Sequence, residues 1–278
     1  MVKTKGKHNK YSVIIIIILI IVFLIFFKKT SVKKEKKIPP RKPEIEEVRP
    51  EAKAKPAYRI AIIIDDVGYP SGKIEEYKNF KGKLSFSVLP FLTGSVRYAD
   101  ILYEHGFEIM IHIPMEPLTY PGTDPGPCTL HITDPQQEIE KKIRMIIQNN
   151  PYAIGANNHM GSKATQDRQI MDWTMDILKQ NDLFFIDSLT TRNSCAYELA
   201  LRNNLNTAKR DIFLDNEDSF PYINAQFEKL KKIAKSRGTA IGIGHFTRDN
   251  TIKVLNYQLP RLKKENYTLI FASEAVIN

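Results

Sequence analysis

The segment Arg59-Ile-Ala-Ile-Ile-Ile-Asp-Asp-Val-Gly68 is the most informative part of the sequence for the fold. A continuous run of mostly β-branched residues is typical of a strand that is buried on both faces, as in a parallel sheet. Gly68 lets the chain turn away after the strand. Two adjacent carboxylates at the end of a buried strand repel each other, so they indicate a metal ion, a shared proton or a substrate cation. Adjacent strand residues point to opposite sides, which predicts different roles for Asp65 and Asp66, unless one caps the next helix and the other is solvated.

Strand-like and helix-like segments alternate from residue 58 to the end of the chain. The predicted strands are Arg59–Ile64, Leu84–Leu89, Glu108–Ile111, Tyr152–Ala156, Leu183–Ile186, Thr207–Lys209, Thr239–Ile243 and Thr268–Phe271. The predicted helices are Pro135–Gln148, with Asp134 as its N-cap, Arg168–Gln180, Tyr222–Arg237 and Thr251–Glu265. This order predicts an α/β fold, a distorted, incomplete (β/α) barrel of seven to eight parallel strands, with a doubly wound open sheet as the alternative.

Polar residues follow several predicted strands at their carboxyl ends, where α/β folds assemble active sites. They are Asp65 and Asp66, His112, Asn157, Asn158, His159, Asp187 and His245. The segment Gly155–Ser162 is dense in amides and glycines and predicts a binding loop. Taken singly, His112 could be a hydrogen-bonded core residue and Glu116 a surface charge in a loop.

These residue types together indicate metal chemistry. One or two carboxylates with two or three histidines suit a first-row metal ion such as Zn²⁺. An ion of this kind lowers the pKa of a bound water to near 7, which supplies a nucleophile. A nearby carboxylate that takes a proton and a histidine that protonates the leaving group would complete a hydrolase.

The motifs resemble a known family. The residues concerned are Ile64-Asp-Asp-Val-Gly68, His112-Ile-Pro-Met-Glu-Pro117, Asn157-Asn-His-Met-Gly-Ser162, Phe185-Ile-Asp-Ser188 and Ile243-Gly-His245. Over residues 58–278 they are similar to the divergent branch of the polysaccharide deacetylase superfamily of carbohydrate esterases. The resemblance implies a distorted (β/α) barrel and metal-dependent removal of N- or O-acetyl groups from a polysaccharide or peptidoglycan-like glycan. It also implies Asp65 as general base, Asp66 and His112 as metal ligands and His245 as general acid.

The chain departs from the main branch of that superfamily at two places. Glu116 stands where the main branch has a second histidine, and the Arg-x-Pro-Tyr motif is absent. We therefore expect His159 as the third ligand of a divalent metal ion, Zn²⁺ in the first place, with Glu116 as the alternative ligand. Asp187 is assigned to catalysis, and Glu116, Asn157 and Asn158 are assigned to substrate binding.

Two other functions fit the same residues. One is a catalytically silent glycan-binding or envelope-assembly domain that keeps the fold. The other is a metal-free glycoside hydrolase that uses two carboxylates. Bound metal would distinguish the metal-free glycoside hydrolase from the other two functions. Release of acetate would distinguish the deacetylase from the silent glycan-binding domain.

The segment before the domain predicts a membrane anchor. Residues 11–29 contain an uncharged apolar run, Val13 to Phe27, without a small-residue cleavage site after it. Residues 1–10 form a basic tail, and residues 30–57 form a linker rich in Lys, Glu and Pro that has little to bury. Residues 58–278 suffice for one domain, whose cysteines, Cys128 and Cys195, could pair or stay free.

The net charge of +10 belongs to the same N-terminal region. Residues 1–57 hold 15 Lys and Arg against 5 Asp and Glu, so residues 58–278 are neutral and nucleic-acid binding has no support. The basic segment instead suits anionic membrane lipids. The lysine count on the two sides of the apolar run favours a cytoplasmic domain. The resemblance implies the opposite, and we expect a single-pass protein with its N-terminus inside and residues 58–278 outside the cytoplasm, in the periplasm or the extracellular space.

Overall fold

The computed structural model describes residues 57–277 of the chain. The strands are β1 (Tyr58–Val67), β2 (Ser85–Val88), β3 (Glu108–Met115), β4 (Ala153–Met160), β5 (Phe184–Asp187), β6 (Thr207–Lys209), β7 (Ile212–Phe213), β8 (Thr239–His245) and β9 (Tyr267–Ile270). The α-helices are α1 (Ile74–Lys78), α2 (Ser95–Glu104), α3 (Gln136–Asn149), α4 (Arg168–Gln180), α5 (Ala196–Arg202), α6 (Phe220–Arg237) and α7 (Thr251–Lys264).

All nine strands belong to one sheet of parallel pairs. The order is β6-β5-β4-β3-β2-β1-β8-β7, and β9 pairs with the amino-terminal half of β1. The two outer strands, β6 and β7, are separated by only Arg210 and Asp211, so the sheet must curl until its edges approach each other. Within residues 57–277 no ladder joins β6 to β7, and the barrel is therefore incomplete. The predicted distorted (β/α) barrel is confirmed, and the doubly wound open sheet is wrong.

The predicted elements are found, with differences at their ends. Each of the eight predicted strands is present, and the two-residue β7 adds a ninth. Strands β3 and β4 continue beyond their predicted ends, so the expected binding loop at Gly155–Ser162 is mostly strand. Helix α3 begins at Gln136, and Asp134 does not cap it, because its carboxylate accepts hydrogen bonds from His131 N and Lys142 Nζ instead.

Strand β1 is buried on both faces, as its sequence predicts. Ile60, Ile62 and Ile64 pack outward in the core between sheet and helices. The alternate residues, Ala61 and Ile63, belong to a smaller cluster inside the barrel. The other buried members of that cluster are Met110, Phe184, Ile186, Ile241, Ile243, Ile270 and Ala272. Because both faces of the strand lose contact with water, the run has to be apolar throughout.

The C-terminal segment covers the amino end of the barrel. Ser85 Oγ accepts a hydrogen bond from Ala272 N at 2.9 Å and donates one to Glu108 Oε1 at 2.8 Å. The same Glu108 oxygen accepts the N–H of Ser273 at 3.1 Å. Further along, Ile277 forms an antiparallel bridge with Thr207 of β6. These contacts tie the amino end together and leave the carboxyl ends of the strands for a site.

Three sequence expectations concern other parts of the chain. The basic tail, the anchor and all but the last residue of the linker lie outside the described residues. Among residues 57–277, no helix has the length and apolar character needed to cross a bilayer. Cys128 and Cys195 are both free thiols, so they do not form a disulfide.

Candidate active site

The interior of the barrel changes from apolar to polar at the carboxyl ends of the strands. On the inner face of the barrel, the apolar residues of the strands are followed by polar residues at the carboxyl ends. The register between neighbouring strands determines which of these polar residues lie side by side. Asp65 of β1 lies opposite His245 of β8, and His112 of β3 lies opposite Asn157 of β4. A cavity of about 290 Å³ opens here. It is lined by Asp65, Asp66, His112, Asn158, His159, Met160, Ser188, Thr190, Phe213, His245, Thr247 and Arg248.

Three side chains converge as a possible metal-binding group. The ligand atoms of Asp66, His112 and His159 all lie within 4.8 Å of one another. Asp66 Oδ1 is 3.1 Å from His159 Nδ1 and 3.4 Å from His112 Nε2. The structure thus brings together the three residues that the sequence predicts as ligands, from β1, β3 and β4.

Asp66 reaches this position through an unusual backbone conformation. Its φ is +62°, in the left-handed region that residues other than glycine seldom adopt and that often marks functional sites. At this residue, side chains no longer alternate between the two faces of the strand. Both aspartates therefore approach the same histidine, and Asp65 Oδ2 lies 3.5 Å from His112 Nε2. The expectation that the two side chains point to opposite sides is wrong.

Asn157 sets the orientation of His112. The Asn157 amide Nδ2 donates to both oxygens of Asp65, at 2.9 and 3.2 Å, which fixes the direction of the amide because a carboxylate only accepts. Its Oδ1 then accepts from Ser87 Oγ at 2.5 Å and from His112 Nδ1 at 2.7 Å. With Nδ1 donating, the Nε2 of a neutral His112 imidazole carries a lone pair, and this atom faces Asp66. Such an arrangement is typical of a metal-ligating histidine with an outer partner.

The charges at the site fit a divalent cation. Burial opposes ionisation of Asp66, yet hydrogen bonds and charge from His112 and His159 hold the pKa of its carboxyl far below the usual range. Its buried Oδ1 nevertheless accepts no well-directed hydrogen bond from the described residues. A charged oxygen that accepts no well-directed hydrogen bond, next to two imidazole nitrogens, favours a cation at this place. One carboxylate and two imidazoles are a donor set that Zn²⁺ and similar ions accept.

The two histidines differ in their response to burial. Burial acts to lower the pKa of His112, but Asp65 and Asp66 outweigh it and raise the pKa. For His159, burial dominates and lowers the pKa even though the nearby Asp66 carboxylate acts to raise it. His159 is therefore held as the neutral imidazole that can bind a metal ion, and a metal ion would replace the proton on His112.

Asp65 stands apart from the ligand group. It is 2% exposed, and burial raises the pKa of its carboxyl, while His112, His245 and the Asn157 amide act in the opposite direction. A carboxylate with a raised pKa accepts a proton more readily than an ordinary aspartate does. Its geometry suits a general base next to the ligand group.

His245 forms a second polar pair with Asp215. His245 Nδ1 lies 2.7 Å from Asp215 Oδ1, and the other carboxylate oxygen accepts from His245 N and Thr251 Oγ1, both at 2.6 Å. Burial opposes protonation of His245, but Asp215 and then the two aspartates of β1 raise its pKa to about 9. A side chain at Gly244 would place its Cβ 3.2 Å from Asp215 Oδ2 and 2.8 Å from Thr251, so glycine leaves the room for this pair. His245 is thus a protonated donor at neutral pH.

The sequence as a whole now identifies the family. The model of the divergent polysaccharide deacetylase family matches residues 62–276. The chain belongs to the divergent polysaccharide deacetylase family. The protein YibQ of Escherichia coli K12 is 34% identical over 217 residues, which cover 78% of this chain and 67% of YibQ. A protein of Haemophilus influenzae Rd is 33% identical over 207 residues, 74% of this chain and 73% of its own length.

Solved structures share the fold. Protein ATU2773 of Agrobacterium tumefaciens C58 superimposes with a TM-score of 0.75 at 22% identity, over 80% of this chain and 91% of its own. The Bc1960 peptidoglycan N-acetylglucosamine deacetylase superimposes with a TM-score of 0.50 at 12% identity, over 78% of this chain and 87% of its own. The incomplete barrel of this member of the divergent polysaccharide deacetylase family is therefore shared by proteins with little sequence identity to it.

Three predicted site residues are absent from the lining of the cavity in this deacetylase-family chain. One is Asn157, which is fully buried and bonds Asp65 and His112, so its assignment to substrate binding is corrected to the support of those two residues. The other two are carboxylates. Asp187 is fully buried and accepts hydrogen bonds from Ser194 Oγ at 2.7 Å and Leu189 N at 2.8 Å, so it holds the turn after β5. Glu116 pairs with Lys163 Nζ at 2.5 Å and accepts Ile132 N at 2.9 Å. The assignments of Asp187 to catalysis and of Glu116 to metal or substrate binding are corrected accordingly. Both carboxylates are engaged by structural partners.

Asn158 has a different position from its neighbour Asn157. It lines the cavity, but its Oδ1 accepts Ser188 N at 2.9 Å and its Nδ2 donates to Met160 O at 2.8 Å. Its side chain therefore fixes the carboxyl ends of β4 and β5. Both polar atoms of the Asn158 side chain are engaged by the backbone, which argues against the expected role in substrate binding.

Sequence reasoning missed several residues that line the cavity or contact its lining in this family member. Asp215 follows the two-residue β7, which is too short to detect by periodicity. Ser188 lies next to a predicted residue, is 1% exposed, and its hydroxyl has no hydrogen-bond partner in residues 57–277. Thr190 and Arg248 belong to loops without any sequence pattern. The position of Ser188 after the apolar β5 is the one signal that could have indicated it.

Proposed function

We propose that this protein is a membrane-anchored, metal-dependent hydrolase that removes acetyl groups from an envelope or extracellular polysaccharide. One observation carries the proposal. Asp66 Oδ1, buried and without a donor, lies between His112 and His159, and Asp65 and His245 face the same cavity. A ligand group, a base and an acid thus surround one space, as hydrolysis of an amide or ester requires.

Asp66, His112 and His159 would hold the divalent ion. When bound, the ion polarises the acyl carbonyl and acidifies water. Asn157 positions both the base and one metal ligand. Its Nδ2 donates to the Asp65 carboxylate, and its Oδ1 accepts a hydrogen bond from His112 Nδ1. This contact keeps the His112 ring in the orientation in which Nε2 faces the ligand group.

Asp65 takes the proton from the attacking water. Its raised pKa favours this transfer, and its distance of 3.5 Å from His112 Nε2 keeps it beside the ligand group. When the tetrahedral intermediate collapses, the nitrogen or oxygen of the sugar must receive a proton to leave. His245 donates that proton from Nε2, because its Nδ1 is engaged by Asp215 and its pKa of about 9 keeps it protonated at neutral pH.

The location of the enzyme is part of the proposal. An apolar run at residues 13–27 with lysines on both sides suits an anchor, and an acetylated polysaccharide of the envelope lies outside the cytoplasm. We expect the N-terminus inside and the domain outside. Protease added to intact cells, after any outer barrier is opened, should remove the domain. Protection until the inner membrane is lysed would contradict this orientation.

The activity is tested with the full-length protein. It is stripped of metal, reloaded with Zn²⁺, Co²⁺ or Mn²⁺, and incubated with acetylated sugar oligomers while acetate release is measured. We expect one ion per chain and metal-dependent release of acetate. Stoichiometric metal without release from any oligomer would instead favour a glycan-binding domain that lacks catalysis. Release that is unaffected by the removal of metal would contradict the proposed mechanism.

A further inference from the structure

Arg248 places an unused positive charge at the cavity. It lies three residues after His245 and lines the same space. Its guanidinium makes no hydrogen bond or ion pair with any residue in 57–277. Its charge does act on Asp218, but the two oxygens of that carboxylate already accept the N–H groups of Asp249 and Asn250, each at 3.0 Å. The donors of Arg248 are therefore free to bind a ligand.

The backbone that carries Arg248 is held on both sides. Its N–H donates to His245 O at 3.2 Å, which links it to the proposed acid. Lys73 Nζ binds the Asp249 carboxylate at 2.7 Å and also donates to Thr247 O. With the turn fixed in this way, binding through Arg248 has to order only one side chain, which lowers its entropic cost.

A second arginine at the same end of the barrel has a structural role. Arg210 donates from Nε to Ser188 O at 2.7 Å and from Nη2 to Leu189 O at 2.9 Å. Its guanidinium also lies 3.7 Å from the centre of the Phe213 ring. The contrast indicates that Arg248 is not required by the fold, since its guanidinium makes no hydrogen bond to the backbone and no cation–π pair within residues 57–277.

The charges around the cavity favour an anionic ligand. Asp65 and Asp66 contribute negative charge, and His245 and Arg248 contribute positive charge. A divalent ion on Asp66, His112 and His159 would leave an excess of positive charge, which concentrates anions in a partly enclosed space. The cavity volume of about 290 Å³ lies at the low end for small-molecule sites, so it suits about one sugar residue.

We propose that the substrate is a glycan with a carboxylate next to the acetylated sugar, and that Arg248 binds this carboxylate. The inference rests on the proposed function, because it names the substrate class of the same site. A guanidinium matches the two oxygens of a carboxylate with two parallel N–H donors. A phosphate would bring nearly two negative charges towards the two aspartates, which makes the singly charged carboxylate the better fit.

The test measures binding and turnover separately. Binding is measured by calorimetry with the full-length, Zn²⁺-loaded protein carrying Asp65→Asn, which slows turnover enough to measure binding first. The ligands are an oligosaccharide of alternating N-acetylglucosamine and glucuronic acid, its methyl ester, and an oligosaccharide that carries its carboxylate as a lactyl ether. We expect at least one carboxylate ligand to bind about tenfold more tightly than the neutral ester. The better of the two identifies whether the carboxylate comes from a uronic acid or from a lactyl group.

Variants assign that preference to Arg248. Adding Arg248→Gln should bring the affinity ratio of acid to ester close to one, while Arg248→Lys should retain part of it. Arg97→Gln is the matched control, because Arg97 is also exposed and has no ion pair or hydrogen bond from its side chain within residues 57–277, but it lies on α2, outside the cavity lining. An unchanged ratio in Arg248→Gln, equal binding of acid and ester, or no binding of either would overturn the inference.

Turnover distinguishes this inference from the proposed function. Equal acetate release from the acidic and the esterified oligosaccharide, by protein with Asp65 intact, would support the hydrolase and overturn the role of Arg248. Carboxylate-dependent binding without any acetate release would support Arg248 and overturn the hydrolase. One carboxylate ligand preferred in both assays would support both.

Discussion

Two carboxylates at opposite ends of the barrel, each with a buried oxygen, have opposite surroundings. Glu108, at the amino end, is 7% exposed, and its Oε1 accepts hydrogen bonds from Ser85 Oγ and Ser273 N. Asp66, at the carboxyl end, has a buried Oδ1 that accepts no hydrogen bond from residues 57–277. Buried polar atoms are normally paired, so an unpaired charged oxygen requires an explanation. Burial alone therefore does not mark a functional carboxylate, whereas an unused acceptor beside metal-binding nitrogens does.

Loss of a residue of the ligand group should reduce activity most. His112→Ala should abolish stoichiometric metal binding and reduce turnover by at least about a thousandfold, because it removes both a ligand and the contact to Asn157. Metal analysis after dialysis measures the first effect. Glu108→Gln is the control at the other end of the barrel: it should keep the metal and lower the free energy of unfolding by about 1–3 kcal/mol. Full retention of metal in both His112→Ala and His159→Ala would refute the assignment.

The next effect separates the two neighbouring aspartates. Asp65→Asn should keep the metal and lower turnover by about 10²- to 10⁴-fold, because it removes the base but none of the three ligands. Asp66→Asn should lose both metal and turnover. Metal content and acetate release are measured on the same preparations. Identical behaviour of the two variants would show that the division of roles is wrong.

A smaller effect concerns the pH dependence of His245. A donor whose pKa is raised from 6.5 to about 9 stays protonated at neutral pH, so activity should fall only as the pH rises through about 9. Asp215→Asn removes the charge that raises this pKa, and the alkaline limb of kcat/KM should move to lower pH by about one to two units. Asp211→Asn is the control, because that carboxylate binds Arg237 and Ile241 N instead. An alkaline limb that does not move in Asp215→Asn would exclude the assigned acid.

Ser188 carries the other buried polar atom without a partner among the described residues of the cavity, and its loss should change activity least. Ser188→Ala removes a buried hydroxyl that has no partner in the described part of the chain, so it should raise KM by about three- to tenfold without lowering Tm. Thr174→Ala is the matched control, since Thr174 Oγ1 donates to Ile170 O within α4. That variant should lower Tm and leave KM unchanged. The reverse pattern would assign a structural role to Ser188.

The sequence predicts the strands and the ligand group because hydrophobic runs locate the strands and polar residues follow them. The sequence does not predict which residues of a strand face the inside of the barrel and which face the outside. In β1, Asp65 continues the inward row of Ala61 and Ile63. In β5 the inward residues are Phe184 and Ile186, so the similar motif directs Asp187 to the outside of the barrel. An apolar run followed by an acidic residue does not reveal whether that residue faces the inside or the outside of the barrel.

Other features of the site depend on contacts that no local pattern encodes. The left-handed backbone at Asp66 ends the alternation that the sequence implies. The role of Asn157 depends on hydrogen bonds to Asp65 and His112, which lie 92 and 45 residues away in the chain. Asp215 follows a strand of two residues, shorter than any pattern can identify. Tertiary structure alone brings these groups together.

The pairing of β1 has a consequence for how the domain folds. This first strand lies between β2, β8 and β9, and its register joins Arg59 to Thr239 and to Thr268. Contacts of such long sequence separation close large loops and slow folding. During synthesis, the apolar β1 emerges long before two of its three partners, and its unpaired edges are then open to aggregation. We therefore expect slow folding and a dependence on chaperones until the β9 segment has been made.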